Sequence, residues 1–166
     1  VGYGELGRNV AKMGKAFGMS VIINTRSKNE FNCEEKHVTF KRLLEESDVV
    51  SLHCPLTIET KNLIGIEEVK LMKPSSILIN TARGGLIDSE ALLFALKNGM
   101  IAGAAIDVLP EEPPINGNAL LEYKKLNLIT TPHIAWGTIE ARQNAINQLA
   151  DTIKAFQNNQ KINALV

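Results

Sequence analysis

Short apolar runs rich in β-branched residues alternate along this chain with stretches whose apolar positions recur every three or four residues. The first pattern is typical of buried strands and the second of amphipathic helices. The first helix is predicted over residues 5–17 and is ended by Gly18. Its apolar stripe consists of Leu6, Val10, Met13 and Phe17. The alternation of the two patterns predicts an α/β protein built on a parallel sheet.

The same alternation places the other elements. Strands are predicted at residues 20–24, 37–40, 48–53, 75–82, 101–108 and 126–131. Helices are predicted at residues 41–47, 66–72, 90–98 and 139–157. Either Asp88 or Ser89 caps the third of these helices, and Gly99 ends it. The proline-rich segment 109–118 cannot join a central ladder, so it is predicted to be a loop at the carboxyl end of a strand.

The composition sets limits on partners and location. The chain of 166 residues is long enough for one domain with a sizeable core, and its 18 lysines and arginines balance its 18 aspartates and glutamates. The balanced charge argues against nucleic acid or an anionic membrane as a partner, and no apolar run is long enough to span a bilayer. Cys33 and Cys54 have no metal-binding or redox spacing and are expected to be reduced. We therefore expect a soluble, cytoplasmic protein without a metal site.

Three glycines stand at the start of the chain, directly before the first predicted helix. Gly2, Gly4 and Gly7 fit the pattern GxGxxG, whose glycines allow a tight turn, close approach of a pyrophosphate, and packing of helix on strand. On their own they can equally form a turn and a packing contact. Their place in a βαβ unit favours a dinucleotide site, with the first amides of the helix holding the anion. Because only Val1 precedes the pattern, we expect a truncated first strand and take residues 1–166 as the dinucleotide-binding domain of a longer protein.

The end of the second predicted strand of such a unit bears on which dinucleotide binds. An acidic residue there would bond both ribose hydroxyls of NAD, but Thr25 occupies this position. The segment Thr25, Arg26, Ser27 and Lys28 offers hydroxyls and positive charge to the additional phosphate of NADP. Alternatively, Arg26 and Lys28 are solvated loop charges, and Glu30 reaches back to the ribose. We predict NAD or NADP as the cofactor and favour NADP.

Three predicted strand ends carry polar side chains toward one edge of the sheet, where open parallel sheets bind their ligands. Arg83 follows the fourth predicted strand and can grip a carboxylate through two parallel hydrogen bonds, although taken alone it reads as a surface arginine. Asp107 lies at the end of the fifth strand, with Glu111 and Glu112 just beyond it, and His133 follows the sixth. An imidazole beside a carboxylate is a tuned proton donor and acceptor, so His133 is the catalytic candidate.

The other two histidines receive no catalytic role. Lone histidines are usually structural or solvated, and this interpretation is kept for His37. His53 follows the third predicted strand but has no acidic residue near it in sequence, so it is expected to support the cofactor loop.

Five segments that follow one another along the chain resemble the D-isomer-specific 2-hydroxyacid dehydrogenases. They are GYGELG, HCPLTIETKNLIG, MKPSSILINTARGGLIDSEAL, AGAAIDVLPEEPP and TPHIAWGTIEAR, and they run in the family's order over nearly the whole chain. The resemblance implies a Rossmann-type doubly wound parallel sheet with helices on both faces. It also implies hydride transfer between a nicotinamide cofactor and C2 of a small D-2-hydroxy or 2-oxo acid, such as glyoxylate or hydroxypyruvate.

The same resemblance implies roles for individual residues. Arg83 would orient the substrate's carboxylate and carbonyl, His133 would be the acid and base, and Glu112 rather than Glu111 would pair with the histidine. Asp107 would bond the nicotinamide carboxamide. The full set of implied cofactor-binding residues is Gly2, Gly4, Glu5, Leu6, Gly7, Thr25, Arg26, Ser27, Cys54, Pro55, Thr81, Ala82, Asp107 and His133.

The resemblance also narrows the substrate. Glu112 argues against formate oxidation, because formate dehydrogenases of this fold carry glutamine in its place. The segment IAWGTIEAR is most similar to the glycerate dehydrogenase and hydroxypyruvate reductase branch. In that branch Trp136 could stand near the substrate, although packing beside a strand explains a tryptophan equally well.

Two other functions stay open at this point. Corepressors of the C-terminal-binding-protein type share the fold and the same arginine, glutamate and histidine, yet act mainly as dinucleotide-responsive dimeric scaffolds. A cofactor-binding module for some other dehydrogenase chemistry is the third interpretation. Family members are usually dimeric through this domain and carry a substrate domain before the glycine pattern, toward which residues 159–166 would lead back. We therefore expect a homodimer, and expect this chain alone to bind dinucleotide but to catalyse poorly.

Overall fold

The computed structural model describes residues 1–26, 35–160 and 162. Ser27, Lys28, Glu30 and Cys33 lie outside the described residues, and so do residues 161 and 163–166 of the predicted segment 159–166. The strands are β1 (Ile22–Ile23), β2 (Lys36–His37), β3 (Val49–Leu52), β4 (Ile77–Asn80), β5 (Gly103–Ile106) and β6 (Leu128–Thr130). The helices are α1 (Glu5–Ala16), α2 (Phe40–Glu46), α3 (Ile66–Leu71), α4 (Ser89–Lys97), α5 (Ala119–Glu122) and α6 (Ile139–Gln157), and a 3₁₀ turn, Gly84–Leu86, follows β4. The predicted α/β alternation is confirmed.

Local side-chain chemistry explains where the elements depart from their predicted bounds. Thr39 does not continue the strand predicted at 37–40; its hydroxyl accepts a hydrogen bond from the Arg42 amide at 3.3 Å and caps α2. Threonine is a favoured helix N-cap, and the helix accordingly begins at Phe40, ahead of the predicted lysine start. Asp88 rather than Ser89 caps α4, because its carboxylate accepts from two amides of the first turn. The short helix α5 was not predicted by any apolar pattern.

All strands of the described chain that pair with one another run parallel. The strands β3, β4, β5 and β6 form one sheet in that order, and β1 pairs with β2. Val1 lies between the two sets, because its nitrogen donates to the Ser51 carbonyl at 2.8 Å and its carbonyl accepts from the His53 amide at 2.8 Å. The Gly2 amide donates to the Asn24 carbonyl at 2.8 Å, on the other side. The strand order therefore reverses at Val1, which makes this the switch point of a doubly wound sheet.

The helices are distributed according to the direction in which the chain crosses the sheet. From Val1 the chain passes through α1 toward β1, whereas from β3 onward it moves in the opposite direction through α3 and α4. Right-handed crossovers then place α1 on the opposite face from α3 and α4. Helices α2, α3 and α4 pack side by side. The core beneath them includes Leu44, Leu52, Leu78, Leu86 and Leu92, none of which is exposed.

The apolar stripe that identifies α1 does not face the sheet. Leu6 is 71% exposed and Phe17 is 78% exposed, whereas the buried residues of the helix are Gly7 and Ala11. A Cβ atom at Gly7 would lie 2.3 Å from the Gly2 carbonyl oxygen, so the helix approaches the turn before it through its smallest side chains. The larger apolar side chains consequently project away from the sheet.

The chain divides into two compact units, Val1–Pro132 and His133–Val166. The second unit contains α6, which begins after Thr138, whose hydroxyl accepts a hydrogen bond from the Ala141 amide at 3.1 Å. The predicted bounds of this helix, 139–157, agree with the structure. None of the helices in the described part of the chain is both long and apolar enough to cross a membrane.

Candidate active site

The outer two glycines of the GxGxxG pattern are required by the protein's own backbone. Gly2 has a φ of +86°, and a Cβ atom there would lie 2.7 Å from the Cys54 amide nitrogen. Gly7 faces the Gly2 carbonyl, as described above. These two positions fix the turn against the end of β3 and fix α1 against the turn.

The middle glycine is different, because nothing in the described part of the protein requires it. Gly4 has a φ of −72°, which any residue adopts, and no atom lies within 4 Å of the position its Cβ would take. It is the N-cap residue of α1 and has no side chain with which to cap the first turn. A Cβ would therefore occupy open space in front of the uncapped amides at the start of the helix. An anion held by these amides, which include those of Glu5 and Leu6, fits this arrangement.

Tyr3, between the first two glycines, anchors the turn through a buried carboxylate. Its hydroxyl donates to Glu35 Oε2 at 2.5 Å, and Glu35 Oε1 lies 2.7 Å from Lys15 Nζ in α1. Hydrogen bonds from Lys15 and then Tyr3 lower the pKa of Glu35 to about 2, so the carboxylate is ionised at neutral pH. This group could not be predicted from the sequence, because its three members share no local spacing.

Thr25 lies two residues beyond β1, at the position predicted to bind the ribose of the dinucleotide. Its Oγ1 lies 2.9 Å from Nε2 of His37, at the end of β2. His37 is thus a hydrogen-bonded, partly buried residue. Arg26 is exposed next to Thr25. Ser27, which was also predicted to bind the cofactor, lies outside the described residues.

The loop after β3 borders the turn formed by the glycines. His53 Nε2 lies 2.9 Å from the Ser51 hydroxyl, and burial lowers the pKa of His53 to about 4. Burial also raises the pKa of the Cys54 thiol, so at neutral pH the cysteine is a neutral packing group and not a nucleophile. The Pro55 carbonyl accepts a hydrogen bond from the Thr60 hydroxyl at 2.7 Å, which holds the loop in place.

A buried asparagine shapes the turn that carries Arg83. Asn80 is fully buried at the end of β4; its Oδ1 accepts from the Ala82 amide at 3.0 Å and its Nδ2 donates to the Arg83 carbonyl at 3.0 Å. The Arg83 side chain is exposed and donates to the Ala82 carbonyl through Nη1 at 2.7 Å, and Thr81 is exposed beside it. Asn80 was not among the predicted site residues. Its position as the polar last residue of an otherwise apolar strand is the sequence feature that could have identified it.

The loop of Arg83 touches the loop of Glu112. A Cβ atom at Gly84 would lie 2.0 Å from the Leu109 carbonyl carbon, so the two backbones meet at this glycine. Glu112 accepts a hydrogen bond from the Leu109 amide at 2.7 Å, and the peptide bond that follows it, to Pro113, is cis. Glu112 is therefore fixed to the same loop that Gly84 contacts. The predicted site residues Arg83 and Glu112 therefore lie in adjoining loops.

Asp107 is a buried carboxylate at the end of β5. It is 4% exposed, and its Oδ1 accepts a hydrogen bond from the Thr131 hydroxyl at 2.5 Å. Its amide donates to the Asn80 carbonyl at 2.9 Å, which links it to the strand that leads to Arg83.

His133 is the first residue of the second unit and adopts an uncommon backbone conformation. Its φ is +52°, in the left-handed region where histidine is more frequent than most other side chains. Its carbonyl accepts a hydrogen bond from the Trp136 indole nitrogen at 2.7 Å, and Trp136 is 58% exposed. Because His133 and Glu112 belong to different units, their pairing stays a prediction.

Comparison with known proteins gives a family for this arrangement. The family model for the D-isomer specific 2-hydroxyacid dehydrogenase NAD binding domain matches residues 1–135. A glycerate dehydrogenase from Methylorubrum extorquens is 49% identical over 156 residues, which is 94% of this chain and 48% of that protein. The chain thus spans about half the length of this relative.

Solved structures of dinucleotide-dependent enzymes are also similar to this chain. The NAD complex of a D-isomer specific 2-hydroxyacid dehydrogenase from Lactobacillus delbrueckii ssp. bulgaricus is similar with a TM-score of 0.87 and 34% identity, covering 99% of this chain and 54% of that one. An acyclic imino acid reductase in complex with NADPH and D-Arg is similar with a TM-score of 0.89 and 33% identity, covering 99% and 52%. The protein therefore belongs to the D-isomer specific 2-hydroxyacid dehydrogenase family, and this chain carries the family's NAD(P)-binding Rossmann domain.

Proposed function

We propose that the protein is an oxidoreductase that exchanges a hydride between a nicotinamide dinucleotide and C2 of a small 2-oxo or D-2-hydroxy acid such as glyoxylate or hydroxypyruvate. The observation that carries the proposal is Gly4, which leaves open space in front of uncapped helix amides although its φ of −72° requires no glycine. A pyrophosphate at this position uses both features at once. The glycerate dehydrogenase relative supports the substrate class.

Arg83 is proposed to bind the substrate. Its guanidinium is exposed on a turn whose backbone is held by both ends of the Asn80 amide, so the side chain projects from a fixed base. A planar guanidinium can donate two parallel hydrogen bonds to a carboxylate. The same positive charge stabilises the oxygen at C2 as negative charge develops on it during reduction.

His133 and Glu112 are proposed as the proton-transferring pair. In the reductive direction the His133 imidazolium protonates the C2 oxygen, and in the oxidative direction the neutral imidazole removes the proton. Glu112 is proposed to pair with the imidazole, and its own position is held by the Leu109 amide at 2.7 Å. The nicotinamide, when bound, supplies or accepts the hydride. Asp107 is proposed to orient its carboxamide from a buried position at the end of β5.

NADP is the proposed preference between the two cofactors. Thr25 stands where a carboxylate would repel a 2′-phosphate, and the exposed guanidinium of Arg26 follows it directly. A hydroxyl and a guanidinium together match the acceptors and charge of a phosphate. Similar structures bind either cofactor, since one contains NAD and another contains NADPH.

A homodimer is the proposed assembly. The apolar stripe of α1 is exposed at Leu6, Val10, Met13 and Phe17, with Met19 just beyond the helix. Exposed apolar patches of this kind mark contact surfaces.

Replacing Gly4 tests the proposed dinucleotide site. The Gly4→Ala variant should fold with an unchanged melting temperature, because its Cβ meets no protein atom. It should bind NADP⁺ and NAD⁺ about tenfold more weakly or worse, since the methyl group displaces the anion from charge-assisted hydrogen bonds worth about 1.5–3 kcal/mol each. Binding is measured by isothermal titration calorimetry, and stability by thermal unfolding.

The matched control is Gly14→Ala, in the interior of the same helix. Its Cβ would meet Val21 at an ordinary 3.6 Å, so this variant should keep wild-type affinity and gain up to about 1 kcal/mol of stability. Equal affinities of wild type and Gly4→Ala would overturn the proposed site. For the reaction, the complete protein is mixed with NADPH and a panel of 2-oxo acids. Tight dinucleotide binding without oxidation of NADPH by any of them would favour the scaffold alternative.

A further inference from the structure

Asn80 is the last residue of β4, and its side chain bridges the turn that carries Arg83. The residue is fully buried; Oδ1 accepts from the Ala82 amide at 3.0 Å and Nδ2 donates to the Arg83 carbonyl at 3.0 Å. Because a backbone amide only donates and a carbonyl only accepts, these contacts fix which end of the side chain is oxygen and which is nitrogen. The turn therefore requires an acceptor and a donor side by side, as a primary amide supplies them.

The guanidinium of Arg83 is joined to the same turn. Its Nη1 donates to the Ala82 carbonyl at 2.7 Å. Ala82 is thus held at its amide by Asn80 and at its carbonyl by the guanidinium, while the carbonyl of Arg83 itself is held by Asn80. A change at the Asn80 amide consequently moves both the backbone that bears the guanidinium and the group on which the guanidinium rests.

The main chain of Asn80 makes a second connection. Its carbonyl accepts the Asp107 amide at 2.9 Å, where β4 and β5 end side by side. One residue thus links the proposed substrate-binding side chain, Arg83, to the residue proposed to orient the nicotinamide, Asp107. The side chain of Asn80 serves the first link and its backbone serves the second, so a substitution of the side chain should affect the first link alone.

We propose that Asn80 is a positioning residue for substrate binding: its amide places the Arg83 guanidinium relative to Asp107, so that C2 of a bound 2-oxo acid faces the hydride donor. A misplacement of about 1 Å between reacting groups can cost a factor of about 10² in rate, so a fixed base for the guanidinium matters to the reaction. The inference rests on the proposed function, since it takes Arg83 as the residue that binds the substrate carboxylate. Asn80 acts through Arg83.

An isosteric change of charge tests the inference. In Asn80→Asp the ionised carboxylate only accepts, so one oxygen repels the Arg83 carbonyl, whereas the protonated carboxyl donates to that carbonyl and imitates the amide. Burial raises the pKa of such a carboxyl. In the complete protein, the KM for glyoxylate should therefore be about tenfold above wild type at alkaline pH and should approach wild type as the pH falls through this pKa.

Two measurements accompany the KM. The dissociation constants for NADP⁺ and NAD⁺, from calorimetry, should stay within about threefold of wild type, because the backbone bond to Asp107 is unchanged. The ionisable groups of Arg83, Asp107 and His133 are common to variant and wild type, so the ratio of the two KM values at each pH isolates the introduced carboxyl. Asn80→Ser has no such carboxyl, and its single oxygen cannot stand at both contact positions. Its KM should be raised at every pH, which keeps the test open if Asn80→Asp does not fold.

Ser76→Ala is the matched control for a general loss of stability. Ser76 is also fully buried, but it directly precedes β4, at the opposite end of the strand from Asn80, and its hydroxyl donates to the Lys73 carbonyl at 2.7 Å. The variant loses a buried hydrogen bond, so thermal unfolding should show a lower melting temperature. Its KM for glyoxylate should equal that of wild type at each pH.

A double-mutant cycle with Arg83 completes the test. In an Arg83→Gln background, Asn80→Ser should raise the KM no further, because the guanidinium that it positions is gone. Wild-type KM in both Asn80 variants, a KM of Asn80→Asp that stays raised in acid, a like increase from Ser76→Ala, or additive losses would each overturn the inference. An unchanged KM in Arg83→Gln alone would instead refute the substrate-binding role of Arg83 in the proposed function.

Discussion

At the scale of single residues, hydrogen bonds between side chains and backbone fix the turns that carry the side chains of the proposed site. Asn80 uses both ends of its amide to hold the backbone on either side of Arg83, and the Leu109 amide holds the Glu112 carboxylate. Neither contact is visible in the sequence, because each depends on a turn whose shape no periodicity encodes. The position of Arg83 after a strand end could be predicted from the sequence, whereas Glu112 was selected by the family resemblance, and the roles of both residues stay predictions.

The role of His133 yields a prediction at this scale. His133→Ala in the complete protein should lower kcat with glyoxylate or hydroxypyruvate by about 10²- to 10⁴-fold, the usual contribution of a general acid or base. The dissociation constant for the dinucleotide should stay within about threefold, because the pyrophosphate and ribose are proposed to bind at the glycine turn and Thr25. Stopped-flow absorbance at the nicotinamide band measures the first quantity and calorimetry the second. Wild-type turnover in this variant would contradict the acid/base assignment.

At the scale of elements, the order of helices and strands could be predicted well, but the buried face of α1 could not. The alternation of apolar runs identified six strands and the long helices, because each must bury an apolar face in one sheet. In α1 the apolar stripe identified the helix, yet the buried face is made of Gly7 and Ala11. Close packing of a helix on a turn selects small side chains, and a hydrophobicity pattern gives them little weight.

The contact between two loops gives a prediction about elements. Gly84→Ala should destabilise the chain by about 3 kcal/mol or more, because its Cβ would lie 2.0–2.4 Å from backbone atoms of Leu109 and Pro110, which cannot rotate away as a side chain can. Chemical denaturation measures the free energy of unfolding. The Gly14→Ala variant is again the matched control and should be at least as stable as wild type. A Gly84→Ala variant with wild-type stability would show that the loops do not meet at this glycine.

At the scale of the whole molecule, both the net charge and the exposed apolar surface are compatible with the proposed homodimer. The formal net charge is zero at pH 7, so no overall repulsion keeps two copies apart. The exposed stripe of α1 offers a contact surface, and chains that share it can meet through identical patches around a two-fold axis.

The proposed dimer can be tested on α1. Phe17→Lys places a charge in the stripe at a position that is 78% exposed, and should convert a dimeric chain to a monomer in analytical ultracentrifugation. Lys12→Ala, an exposed position of the same helix outside the stripe, should leave the dimer unchanged. Identical sedimentation of wild type and the Phe17→Lys variant would place the dimer contact elsewhere or indicate that the stripe is covered by another part of a longer protein.

The backbone contact at Gly84 also bears on how this enzyme family could be redesigned in the laboratory. Because the loops of Arg83 and Glu112 meet through main-chain atoms at Gly84, this contact does not change when exposed side chains nearby are replaced. A library that keeps Gly84 fixed can therefore vary neighbouring exposed positions, such as Ile115, which is 82% exposed, without separating the two loops. Selection for new acids would then begin from variants in which the proposed substrate-binding and acid/base loops still adjoin, so the substrate could change in small steps.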